Sequence, residues 1–293
     1  MKPFEILAAL PSWANAAPDA ILDSPAFLMP CRIGEETVSL RPAAVAPAGE
    51  GALSLSVTFG DEPHTLLFAR SPRFPEIDKV WDCRADVPEP VLLALVEREC
   101  GPVFQMLENA VRRQLRLVGL GAGPDAPKIC LELSDGSLSF ALSRSDAVAA
   151  AFGTLRNLDL AHETVRAQPL SAEIEYASFV LPEADLASLA PGDAVLLPEI
   201  DTVSPRLVVD GRFVIDANGV APYAADALLR VRAAEGCVLT LGAVFDAVET
   251  PPPQPSAAAG AALRLVRGDA TVAAGRLDRL GGQNAFLVED AIR

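Results

Sequence analysis

The sequence predicts an α+β fold, with a mixed α+β domain at the N-terminus and a small all-β region after it. Three observations carry this expectation. Two early stretches alternate apolar and polar residues, a long middle block repeats its apolar residues at helical spacing, and the second half breaks into short apolar runs between turn residues. A length of 293 residues suggests two compact domains.

Taken in chain order, Lys2 precedes the apolar run Ile6-Leu7-Ala8-Ala9-Leu10, which follows Glu5 and ends at Pro11. That run is short for a signal peptide, so an amphipathic N-terminal helix is expected. Leu53, Leu55, Val57 and Phe59 alternate with Ser54, Ser56 and Thr58, the period of a half-buried strand. Gly60-Asp61-Glu62-Pro63 breaks that strand, and residues 65–69 return as its hairpin partner. A helix follows, with Asp86 as its cap and Pro88 in its first turn. Leu92, Leu95, Val96, Val103, Met106, Leu107 and Ala110 form its apolar stripe, and Gly101-Pro102 is expected to kink or divide it. Leu131 and Leu133, the turn pair Asp135-Gly136, then Leu138, Phe140 and Leu142 spell a second hairpin. Ser145 is positioned to cap a short helix ending near Leu155.

The character changes near residue 165. Strand-sized pieces at 194–197, 207–209, 213–215 and 238–241 alternate with Pro191-Gly192-Asp193, Asp210-Gly211 and Asn218-Gly219. Pro251-Pro252-Pro253-Gln254-Pro255-Ser256 and the Ala/Gly run after it read as an extended spacer. The expected division is therefore residues 1–165 for the α+β domain, 166–249 for the β domain, 250–262 for the linker and 263–293 for a last segment. That segment is too short to build its own core.

Charge narrows the function classes. Against 39 Asp and Glu stand 24 Lys and Arg, a net charge of −15. So acidic a chain repels phosphate backbones and anionic lipid. Residues 171–250 alone hold 13 acidic residues and 4 Arg. The five cysteines, Cys31, Cys83, Cys100, Cys130 and Cys237, show no two-residue gap of a zinc or redox motif and are expected to act as small buried hydrophobes in a reducing cytosol. No apolar run approaches the 18 or so residues that span a bilayer.

Tests for chemistry return structural readings. His64 and His162 stand in unrelated contexts, so neither a metal site nor a catalytic pair is expected of them. The glycine-rich run at 119–123 follows a strand-like stretch but leads to Pro124 and Pro127 instead of a helix start, which argues against a dinucleotide loop. Asp201-Thr202-Val203 has Val where an aspartic-protease motif needs Gly, and Arg267-Gly268-Asp269 reads as hairpin material. No catalytic residue, cofactor or metal ligand is expected.

Several segments are similar to a secretion-ring family. The stretch from Leu181 through Leu186, Leu189, Pro191-Gly192-Asp193 and on to Val195 and Leu197 resembles the first half of a SpoA domain, the module of flagellar switch proteins. There a Leu-spaced turn leads into Leu-x-Pro-Gly-Asp and a strand. Residues 207–215 resemble the hairpin that follows. Residues 263–277, with Leu265, Val272, Gly275 and Leu277, resemble the second half of another SpoA module. That second copy departs from the pattern by lacking its first half, unless residues 237–247 contribute strands. Val87-Pro-Glu-Pro-Val-Leu-Leu-Ala-Leu-Val and Val103-Phe-Gln-Met-Leu-Glu resemble the N-terminal domain of YscQ/HrcQ-type proteins, the cytoplasmic ring or sorting-platform subunits of type III secretion systems.

The resemblance implies intertwined β units that exist as pairs, with Leu186, Leu189, Gly192, Asp193, Val195, Leu197, Leu265, Val272, Gly275 and Leu277 as pairing or partner-binding residues. It implies a non-enzymatic cytoplasmic scaffold, peripheral at the inner membrane through the secretion apparatus and not inserted in it. Its partners would be the stator protein of the secretion ATPase complex, a ring adaptor protein and chaperone–effector complexes, with self-association through the SpoA segments. An acidic face comprising Glu183, Asp185, Asp193, Glu199 and Asp201 would steer basic partners. A flagellar-type motor switch subunit, an unrelated α+β enzyme with a β accessory domain and an effector chaperone are the alternatives. The tail residues instead completing the β unit of their own chain is the structural alternative.

Overall fold

The computed structural model describes residues 1–44, 52–121, 128–197, 205–223, 228–250, 260–268 and 270–292. The fold is α+β, with two antiparallel sheets. The chain divides into two compact units, one of Asn15–Asp159 and one of Met1–Ala14 with Leu160–Arg293. Residues 251–259 of the expected spacer, Glu199, the Asp201-Thr202-Val203 triplet, the end of the 119–123 run and Asp269 lie outside the described residues.

A boundary at residue 165 with an unbroken N-terminal domain is therefore corrected. Helices α1 (Pro3–Ala9) and α2 (Pro11–Ala14) belong with the C-terminal unit, where α1 buries Ile6 and Leu7 and hydrogen bonds hold both. Ile6, Leu7 and Leu10 are inaccessible to solvent. The terminal ammonium donates to the Val220 carbonyl at 2.8 Å, Trp13 Nε1 donates to Gln168 Oε1 at 2.7 Å, and Arg212 donates to the Ala9 carbonyl at 3.1 Å.

The Asn15–Asp159 unit contains α3 (Pro18–Leu22), β1 (Met29–Ile33), β2 (Glu36–Pro42), β3 (Ala52–Phe59), β4 (Glu62–Ala69), α4 (Pro75–Val80), α5 (Glu89–Val111), β5 (Leu115–Leu120), β6 (Lys128–Leu133), β7 (Ser139–Ser143) and α6 (Asp146–Phe152). Its seven-stranded sheet has the order β1-β2-β6-β7-β4-β3-β5. The alternation of β3 places Leu53, Leu55, Val57 and Phe59 inside, and Gly60 at φ 63° turns the chain into β4. Helix α5 buries Leu92, Val96, Cys100, Val103, Phe104, Met106 and Leu107. Phe68 of β4 joins the layers, with ring centroids 6.3 Å from Phe104 of α5 and 6.1 Å from Phe140 of β7.

Two expectations for α5 change. The helix runs 23 residues without division at Gly101-Pro102, because Cys100, Val103 and Phe104 hold both sides of the proline in the core. It also starts later, with Pro88 as the residue before its first turn, so Asp86 closes a separate 3-10 turn. Ser145 does cap α6, its hydroxyl accepting from the Val148 amide. The thiols divide by environment: Cys100 is buried, and burial pushes it up to about 12, whereas Cys83 and Cys237 are exposed and so are not core hydrophobes.

The β6–β7 turn carries an acid-sensitive contact. Asp135 is held down to about 2 by the Ser137 amide and hydroxyl and then by Arg73, which also pairs with Glu36. A depressed carboxylate stabilises the folded state above its ordinary value of 3.8, and that contribution is lost as pH falls towards about 2. Acid titration of Asp135→Asn beside the parent protein is expected to show a stability gap at neutral pH that closes over this interval. A gap constant across the interval contradicts the contact.

The second unit continues with α7 (Glu163–Arg166), β8 (Pro169–Phe179), α8 (Glu183–Ser188), β9 (Ala194–Leu196), β10 (Arg206–Val209), β11 (Phe213–Asp216), β12 (Gly219–Pro222), β13 (Leu229–Ala233), β14 (Cys237–Thr240), α9 (Leu241–Glu249), β15 (Ala262–Arg267), β16 (Ala270–Leu280) and β17 (Gln283–Ala291). It is not all-β, since five helices accompany its sheet among the described residues. The strand order is β12-β11-β10-β8-β13-β15-β16-β17-β9, with β14 also pairing β8. Asp210 and Gly211, at φ 51° and 61°, make the tight β10–β11 turn their sequence predicts.

Two consequences follow for the C-terminal segment. Residues 263–291 are not a separate domain, because β15 pairs β13 and β17 pairs β9 of the same chain. Residues 237–247 also do not complete it, because they form β14, paired to β8, and most of α9. The spacer ends sooner than expected: Gly260 donates to the Leu277 carbonyl and Leu277 donates to the Ala261 carbonyl, so the chain is already bonded to β16 before β15 begins.

Candidate functional site

The ten residues singled out in the sequence converge on one place. The core on one face of the second sheet consists of Tyr176, Ala177, Val195, Leu197, Leu229, Val231, Leu263, Leu265, Ala273, Leu277, Phe286 and Val288, and Leu186, Leu189 and Val272 pack against it. Gly275 lies where β16 and β17 approach so closely that a Cβ there would overlap the Leu287 carbonyl oxygen. Gly192, at φ 97°, sends its amide to the Val288 carbonyl at 2.8 Å. Asp193 accepts from the Ala190 amide through its side chain and from Val288 through its carbonyl, both at 2.8 Å. The Pro-Gly-Asp turn thus delivers β9 onto β17, and segments about 90 residues apart form one β unit.

Position, not burial, separates two roles among the ten, since Val195 and Leu197 share the core of Leu265 and Leu277 but also border a groove. Leu265 and Leu277 face the interior of their own chain, so their work is internal pairing. Leu189, Asp193, Val195 and Leu197 instead line a groove of about 770 Å³, together with Phe179, Val180, Leu181, Asp185, Ser188, Ala194, Leu196 and Gln283. Strand β9 ends the described sheet order and forms one wall, while α8 and residues 179–181 form the other.

The ladder geometry says what this wall offers. Leu197 donates to Asn284, and Val288 donates to Asp193, so the odd positions of β9 bond to β17. In an antiparallel pair the alternate residues turn their peptide groups outward. Ala194 and Leu196 therefore turn toward the groove N–H and C=O groups that pair with no strand among the described residues. Leu196 is 55% exposed and Val180 77% exposed, large values for aliphatic side chains. Asp185 and Asp193 add carboxylates with no cationic partner among the described residues, whereas Glu183 is engaged by Arg267 at 2.9 Å. An unpaired strand edge beside apolar pockets and carboxylates suits an extended, basic peptide segment bound by strand addition.

The opposite face of the sheet holds a charged row that sequence reasoning missed. Arg206 of β10, Glu175 of β8, Arg232 of β13 and Arg264 of β15 are register partners across four strands. Glu175, 1% exposed, receives Arg206 at 2.6 Å and the Tyr223 hydroxyl at 2.9 Å, while Arg232 bonds Glu173 at 2.7 Å and Arg264 also bonds Glu173. Burial first, and then the Glu175 carboxylate, pushes the Tyr223 phenol above its ordinary value. Its ion pairs tie the strands together, and Arg264 Nε is buried without a hydrogen-bond partner among the described residues.

Both histidines have hydrogen-bond partners within their own units. His64 is buried 3.1 Å from Ser143 Oγ, and His162 caps α7 by accepting from the Thr164 amide. Among the described residues no group of three His, Cys, Asp or Glu side chains is arranged to hold a metal ion, and no helix is long and apolar enough to cross a membrane. Neither protein-family models nor curated proteins match this sequence.

Proposed function

We propose that this protein is a scaffold subunit of the cytoplasmic ring, or sorting platform, of a type III secretion system. In this reading it binds the stator protein of the secretion ATPase complex and a ring adaptor protein, and helps to recruit chaperone-bound substrates. One observation carries the proposal: the segment resembling the first half of a SpoA module, 181–197, pairs through β9 with β17, and β17 pairs with β16 of the segment resembling a second half, 263–277. The missing half-module of the sequence reading is then supplied by the chain itself. One unit built from both segments also fits the resemblance better than two incomplete copies do.

The mechanism is peptide capture. The outward peptide groups of Ala194 and Leu196 would pair with a partner strand, Phe179 and Leu189 would receive its apolar side chains, and Asp185 and Asp193 would select for basic residues. Purified stator and adaptor proteins are expected to bind the chain, more weakly as salt rises. Leu196→Asp is expected to lower stator affinity at least tenfold while leaving the circular dichroism spectrum unchanged, since the side chain is mainly in solvent. Failure of both proteins to bind would overturn the reading. Binding to flagellar rotor components alone would move the chain to the motor-switch branch.

A further inference from the structure

We infer that the Asn15–Asp159 unit carries a second docking groove, independent of the β9 edge, that receives an acidic amphipathic helix from a partner protein. The groove, about 890 Å³, lies among the C-terminal end of α5, helix α6 and β1. Its apolar lining comes from Met29, Ala110, Ala147, Ala150, Ala151 and Leu155. Short side chains at four of these positions leave room for a helix backbone to approach closely.

The charged part of the lining is basic. Arg112, Arg113 and Arg156 face the groove, and no carboxylate lines it, within a unit whose sequence holds 20 acidic and 13 basic residues. Arg113 pairs with Glu62 at 2.9 Å, but Arg112 and Arg156 meet no carboxylate among the described residues. In a chain of charge −15 a three-arginine groove without acids is a local inversion of sign. It attracts carboxylates and steers them over a short range.

Helix-end electrostatics account for only part of this. Arg112 and Arg113 stand at the C-terminus of α5, where cations offset the partial negative charge of the last carbonyls. Arg156 lies on a separate 3-10 turn, Leu155–Asn157, on another wall of the groove, and gains nothing from that dipole. Arg112 also occupies a left-handed position, φ 57° and ψ 35°, that glycine adopts without steric cost. A guanidinium stands at the groove where a bare backbone would end the helix more easily.

An acidic amphipathic helix answers both parts of the surface. Its apolar stripe covers the alanine floor, and flanking Glu or Asp residues meet the arginines, frequently in bidentate pairs. A nucleic acid or polyphosphate would satisfy the charge alone, leave the floor uncovered and meet long-range repulsion from the rest of the chain.

The test uses the full chain and a fluorescent 16-residue helical peptide with Leu at i, i+3, i+4 and i+7 and Glu on both flanks. A matched peptide carries Gln in place of every Glu. At low salt the Glu peptide is expected to bind at least tenfold more tightly than the Gln peptide, with the difference shrinking as salt rises. The double variant Arg112→Gly, Arg156→Ala is expected to lose about tenfold in affinity for the Glu peptide without a lower unfolding temperature, because glycine relieves the left-handed turn. Equal binding of the two peptides overturns the inference, as does parent-like affinity in the double variant. Displacement of the Glu peptide by short duplex DNA at equal charge concentration would assign the groove to polyanions instead.

Discussion

Deleting residues 260–293 is expected to unfold the C-terminal unit outright instead of trimming a dispensable tail. Six of the twelve core residues of its β unit, Leu263, Leu265, Ala273, Leu277, Phe286 and Val288, lie in the deleted stretch. Burying a large aliphatic or aromatic side chain contributes about 1.5–3 kcal/mol, so the five large ones together contribute on the order of 10 kcal/mol. That equals the whole stability of an ordinary domain, about 5–15 kcal/mol. Strand β9 would also lose its one ladder partner among the described residues, and β13 the partner on one side. Limited proteolysis is expected to degrade residues 160–259 while a fragment matching residues 15–159 resists. Protection of both regions in the truncated protein would contradict intramolecular completion of the unit.

Replacing Glu175 with Ala is expected to cost about 3–5 kcal/mol, the range for removing one partner of a buried ion pair. Its carboxylate is 1% exposed and meets Arg206, Arg232, the Tyr223 hydroxyl and, at 3.8 Å, Arg230, whose side chain is 2% exposed, so its loss leaves the Arg230 guanidinium charge closed off from water. Glu173 sits two residues away on the same strand, but its side chain is 28% exposed. Water and salt screen its pairs with Arg232 and Arg264, so Glu173→Ala is expected to cost about 1 kcal/mol or less. Denaturant midpoints of the two variants at neutral pH make the comparison. Equal losses would mean that the row across β10, β8, β13 and β15 does not lock the sheet.

The sequence made some elements plain because their side chains keep one period throughout. Strand β3 alternates without exception, and α5 repeats its apolar positions across five turns despite Pro102. The Pro191-Gly192-Asp193 and Asp210-Gly211 turns were legible for a different reason, since few backbones other than these turns suit such residues. Strand β8, the hub that pairs β10, β13 and β14, escaped because its pattern is broken twice. Glu173 and Glu175 put charge where a buried strand should be apolar, and a bulge at Tyr176 shifts the register so that Tyr176 and Ala177 both enter the core. Helix α9 was hidden because its start, Leu241, continues the apolar run of β14, although Thr240 caps it and Asp246 and Glu249 mark its exposed face.

The candidate site was half legible. Leu186, Leu189, Val195, Leu197, Leu265 and Leu277 all reach one core, as apolar residues of strand-sized segments should. What local pattern could not supply was the pairing itself. The register of β9 on β17 is set by the Val288 bonds to Gly192 and Asp193, contacts across more than 90 residues that leave no mark on neighbouring positions. The basic groove at α5 was equally hidden, because Arg112 and Arg156 are 44 residues apart and only the packing around α6 brings them to one rim.

Amide hydrogen exchange at β9, measured while the stator protein is titrated in, tests the central proposal most directly. Peptide capture at this edge predicts that the Ala194 and Leu196 amides exchange quickly in the free protein and become protected in the complex, with Val195 protected in both. Stator binding that leaves Ala194 and Leu196 exchanging at their free rates would contradict it.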